Sequence, residues 1–85
     1  MVESNSHIAV INTIINASTN NIICKEYIGK YINLSMSKIV IGETLEIVCK
    51  NNLSIMDEIV VSVDNTCYRN IIITTSNKIW ILRRL

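Results

Sequence analysis

Phenylalanine is absent from this chain, and one Trp and three Tyr are its only large aromatic residues. A core must therefore be filled mainly by Ile, Val and Leu. Side chains branched at Cβ lose rotamer freedom in a helix but pack well on a pleated surface, so this composition favours a sheet. Proline is also absent and glycine occurs only at Gly29 and Gly42. Turns must then be read from Asn and Ser clusters and from changes in hydrophobic period.

At 85 residues the chain supports one core, read as a single domain over 1-85 with a frayed polar leader at 1-7. The net charge of +1 gives no strong basic field for nucleic acid. No apolar run approaches the roughly 18 residues a bilayer span needs, and Met1 to Asn5 does not read as an export signal. Cys24, Cys49 and Cys67 cannot all pair within the chain, and they lack the spacing and the neighbouring His of a zinc site. Free thiols in a reducing, cytoplasmic setting follow as the expectation, with no metal or organic cofactor.

Ile8 to Asn16 is rich in β-branched residues and reads as a strand. Between Lys25 and Ile39 the apolar residues Tyr27, Ile28, Tyr31, Ile32, Leu34 and Ile39 recur at three- and four-residue spacing, which predicts a first helix. Glu26 in its first turn and Lys38 in its last suit the helix dipole. Gly42-Glu43 reads as a turn, and Thr44 to Lys50 as a half-buried strand with Leu45, Ile47 and Cys49 on its apolar face. Ser54 and Asp57 resemble a capping box, and Ile55, Met56, Ile59, Val60 and Val63 predict a second helix ending at Asp64-Asn65. Asn70 to Thr75 and Lys78 to Arg83 read as a hairpin closed by Ser76-Asn77.

The order β-α-β-α-β-β implies an α+β fold, a two-layer α/β sandwich with two helices on one face of a four-stranded mixed sheet. Both alternating faces of Ile79-Trp80-Ile81-Leu82 are apolar. The uncovered face of the sheet then carries either Trp80 and Leu82 or Ile79 and Ile81, an apolar patch suited to an interface.

With these elements in order, the chain resembles the TusA/SirA-like family of small sulfur carriers. The likeness spans roughly Asn16 to the C-terminus. Gly42-Glu43-Thr44-Leu45-Glu46-Ile47-Val48 reads like the family's G-E-x-L-x-V signature, Cys24 occupies the place of its reactive cysteine, and Arg83-Arg84 resembles its basic closing strand. The family pattern is Cys-Pro-x-Pro, whereas Cys24 is followed by Lys25, Glu26 and Tyr27. The resemblance implies a sulfurtransferase-like carrier that takes sulfane sulfur as a persulfide on Cys24 and passes it between donor and acceptor proteins.

Cys24 at a helix start, beside the Lys25 cation and opposed by the Glu26 carboxylate, is expected to be a moderately activated thiolate. Cys49 reads as core packing, Cys67 as structural or incidental, and Tyr27 and Tyr31 as packing of the first helix on the sheet. The missing prolines motivate an alternative of another class: a non-catalytic interaction or dimerisation module that uses an open sheet face.

Overall fold

The computed structural model describes residues 7–85, and the expectation of a frayed leader falls, for residues 1–6, outside them. Six strands carry the chain: β1 Ile8–Asn16, β2 Tyr31–Asn33, β3 Thr44–Val48, β4 Ser54–Asp64, β5 Asn70–Thr75 and β6 Lys78–Arg84. They form one sheet in the order β2-β1-β6-β5-β4-β3, and every neighbouring pair is antiparallel.

This overturns the expected α/β sandwich. The segment read as a first helix, Lys25 to Ile39, holds a three-residue 3-10 turn at Lys25–Tyr27, then β2, then turns. Gly29 lies at φ +92°, outside the helical region, and Asn33 Oδ1 accepts from Ser35 N–H at 3.1 Å in a local turn. The segment read as a second helix is β4, the longest strand. Its run Ile59-Val60-Val61-Ser62-Val63 follows its β-branched character.

The helical spacing of β4 has a specific origin. Against β3, the register moves from Thr44↔Ile59 to Glu46↔Met56, so β4 carries one residue more than its partner there. Against β5 it moves from Val60↔Thr75 to Ser62↔Thr74, which leaves Val61 as a second extra residue. Each bulge reverses which face the following residues take. Ile55 and Val60 therefore both reach the core, and Val63 packs against it, at spacings a regular strand forbids. In β1 the shift between Ile11↔Leu82 and Thr13↔Ile81 makes Asn12 a further bulge, so Ile11 and Ile14 both point inward.

The sheet curls until its ends meet, making a near-barrel. Lys50 N–H donates to the Tyr31 carbonyl at 2.9 Å, and Ile32 bridges Cys49. Lys38 and Glu46 exchange backbone hydrogen bonds of 2.8 and 3.1 Å. The Ser37 hydroxyl rivets the same seam: its Oγ accepts Val48 N–H at 2.9 Å and donates to the Asn33 carbonyl at 2.8 Å.

Inside lie Ala9, Ile11, Ile14, Ile32, Leu45, Ile47, Cys49, Ile55, Val60, Ile71, Ile73, Trp80 and Leu82. The alternation read in β3 holds, with Leu45, Ile47 and Cys49 all buried. In β6 the buried face is Trp80 and Leu82, and Ile79 and Ile81 take the half-buried one. No described helix is long and apolar enough to cross a membrane.

Candidate functional site

Cys24 follows Ile23, whose N–H donates to the Ile14 carbonyl of β1 at 2.9 Å and so holds this segment beside the barrel. The residue sits at φ 54°, ψ 44°, a left-handed conformation uncommon outside glycine, and opens the 3-10 turn by accepting Tyr27 N–H at 3.0 Å. Its side chain is half-buried against the core, while Lys25 and Glu26 are exposed.

The surroundings of Cys24 act against the expected activation. Burial pushes its thiol above the ordinary value of 9.0, and the Glu26 and Asp57 carboxylates push the same way against the Lys78 ammonium. One 3-10 turn does not align enough peptide dipoles to offset this. Lys25, expected to be the activating cation, is not among the charges that act on the thiol. Cys49, buried just after β3, is also raised by burial, with Lys30 opposing. Cys67 is exposed, and all three thiols are free.

The charges that reach Cys24 lead to a cluster read in the sequence as helix cap and hairpin end. Asp57 points inward from β4 with its side chain 8% exposed, and three donors converge on it. Trp80 Nε1–H donates to Oδ2 at 2.8 Å, Lys78 Nζ to Oδ1 at 3.0 Å, and Thr75 Oγ1 to Oδ2 at 3.3 Å. Thr75 is itself buried and accepts Lys78 N–H at 3.2 Å, while Asn77 Nδ2 at the hairpin tip donates to Glu58 Oε2 at 2.8 Å. Glu58 Oε1 is buried with no hydrogen-bond partner. Strand parity was the signal for Asp57: once Ser54 to Asp64 is read as a strand, Asp57 follows Ile55 onto the inner face.

The cluster brings together a thiol, carboxylates and an ammonium. Lys78 is held protonated above its ordinary 10.5, chiefly by its hydrogen bond to Asp57, so it donates and cannot accept a proton. Asp57 already receives three donors. Its physical effect is to pin the β5-β6 hairpin and the one Trp to β4. Among the described residues, no three His, Cys, Asp or Glu side chains gather to hold a metal ion.

A different feature lies on the outside. β3 follows β4 only through Thr44↔Ile59, and Gly42 N–H then donates to the Val60 carbonyl at 2.9 Å while Val60 N–H donates to the Glu43 carbonyl at 2.9 Å. Beyond Val60 no described strand lies on that side of β4, so Val61 to Asp64 form an open edge. Exposed apolar residues flank it: Val61 at 56%, Ile41 at 62%, and also Val40 and Ile59.

No family model matches the chain, and no curated protein or solved structure matches it.

Proposed function

We propose that the protein is a non-catalytic interaction module that takes an extended polypeptide segment onto the open edge of β4, with a second copy of the chain as the first candidate partner. The observation that carries this reading is the coincidence of an unpaired strand edge at Val61 to Asp64 with the exposed apolar side chains of Val61, Ile59, Val40 and Ile41 beside it. Main-chain groups on such an edge supply affinity and the flanking side chains supply selectivity. Two β4 edges can pair antiparallel, setting Val61 of each copy opposite Asp64 of the other and keeping the Asp64 carboxylates apart. Three free thiols support work in a reducing compartment such as the cytoplasm.

Sedimentation velocity with parallel amide exchange tests the reading. Concentration-dependent protection of Val61 to Asp64, abolished by Val61→Lys without a change in melting temperature, is the expected result. Protection confined to another face, or self-association untouched by Val61→Lys, would count against it.

Persulfide transfer through Cys24 is the second reading. One observation favours it: the thiol is partly accessible. The α/β fold that the sulfur-carrier resemblance implies is not the one observed, so the fold lends this reading no support. Mass spectrometry after incubation with a persulfide donor decides, because a gain of one sulfur on the wild type and none on Cys24→Ser would bring this reading forward.

A further inference from the structure

Where the barrel closes, β2 and the β3-β4 turn enclose a cleft of about 180 Å3 lined by Lys30, Tyr31, Cys49, Lys50 and Asn51. The backbone fixes its walls. Ile11 N–H donates to the Lys30 carbonyl at 2.9 Å, and Lys50 N–H donates across the seam to Tyr31 at 2.9 Å. The turn is set by Cys49 N–H to the Leu53 carbonyl at 2.8 Å and by Asn52 at φ 70°. Asn51 Oδ1 accepts Leu53 N–H at 3.1 Å, which orients its amide and leaves the NH2 group to donate elsewhere.

Two lysines, Lys30 and Lys50, line this cleft. Among the described residues the ion pairs are Lys38 with Glu43 and Lys78 with Asp57, so neither Lys30 nor Lys50 meets a carboxylate. The charge of Lys30 is felt at the Cys49 thiol, which is only 3% exposed, so its field reaches the floor of the cleft. Two ammonium groups and an amide donor over an apolar floor suit a compact dianion, since charged acceptors form the stronger hydrogen bonds.

We infer that this seam cleft binds a phosphate group, gripped between the Lys30 and Lys50 ammonium groups with the Asn51 amide as a third donor. Tyr31, half-exposed at the rim, offers a face for an apolar or planar substituent on that phosphate. The site is independent of the β4 edge, so the failure of either leaves the other standing.

The test is an NMR titration of the full chain with inorganic phosphate and, separately, phenyl phosphate, at constant ionic strength. Saturable shifts at the Lys30, Tyr31, Lys50 and Asn51 amides are expected. Lys30→Ala or Lys50→Ala should weaken binding roughly tenfold, the scale of one charge-assisted hydrogen bond, with the melting temperature unchanged. Arg83→Ala removes one charge elsewhere and should leave the affinity as it is. Tighter binding of phenyl phosphate assigns the cleft to a phosphomonoester, and equal binding assigns it to the free anion. Shifts that do not saturate, equal shifts with acetate, or an Arg83→Ala effect as large as that of Lys50→Ala would overturn the inference.

Discussion

Two parts of this sheet hold together by different means. Across β4, β5 and β6 the strands are joined by long ladders, and a buried carboxylate gathers three donors beneath them. Where β2 meets β3 there is no long ladder. A serine hydroxyl, one backbone hydrogen bond at Lys50 and the exchange between Lys38 and Glu46 close the barrel. The first region resists the loss of any one contact except its central charge. The second depends on a few polar atoms, and elements with so few contacts open first.

The largest expected effect tests the centre. Asp57→Ala leaves the Lys78 ammonium and the Trp80 N–H without their acceptor, and breaking such a buried pair destabilises by about 3 kcal/mol or more. Urea denaturation measures it, and a loss no larger than that of a surface substitution would break the contrast. Ser37→Ala takes the acceptor from Val48 N–H and a donor from the Asn33 carbonyl, at about 1–2 kcal/mol. Its distinguishing mark is local: amide exchange should quicken at Val48 and Lys50 before it quickens in β5.

A pH series adds a further test, because one raised thiol, Cys24, feels the charges of Asp57 and Lys78 and the other, Cys49, lies at the seam. Cys24 and Cys49 bind their protons more tightly folded than unfolded, so the stability they contribute is whole below pH 9.0. It is lost as pH rises through their raised folded values. Urea midpoints should therefore fall above pH 9.0, and Cys24→Ser should flatten part of that slope. Alkylation of Cys24 by iodoacetamide should reach half its limiting rate at a pH above that of an unfolded control. The smallest effect belongs to the exposed pair of Lys38 and Glu43, 2.7 Å apart: Lys38→Met should leave the melting temperature unchanged, because water and salt screen it.

The same division governs what the sequence discloses. β1, β3 and the β5-β6 hairpin follow from runs of β-branched residues bounded by polar pairs, and each lies where that pattern places it. β4 was hidden by its own bulges. Two extra residues carry Ile55, Val60 and Val63 inward at spacings that imitate a helix turn, and periodicity alone does not separate a bulged strand from a helix. Between Tyr27 and Ile39 the imitation arose differently, from loop residues such as Tyr27, Leu34 and Ile39 folding their side chains back onto the barrel. Cys24 was expected at the head of a helix and heads a three-residue 3-10 turn instead, so the reactivity expected of it leaned on a helix that does not form. Asp57 escaped notice because its three donors come from β5 and β6, far along the chain.

The pairing of β1 with β6 joins opposite ends of the described chain at the middle of the sheet, from Ala9↔Arg84 to Asn16↔Lys78. Hairpins such as β5-β6 close within their own neighbourhood, whereas this ladder must wait for almost the whole chain to be brought round. Folding should accordingly be slow for so small a protein, on the order of milliseconds to seconds, with the docking of β1 as its late step. Until then Ile79 and Ile81 lie beside an unpaired edge. A nascent or refolding chain is most prone to aggregate during that interval, and crowding β6 with a second chain at that moment would yield strand-exchanged assemblies rather than a barrel closed within one chain.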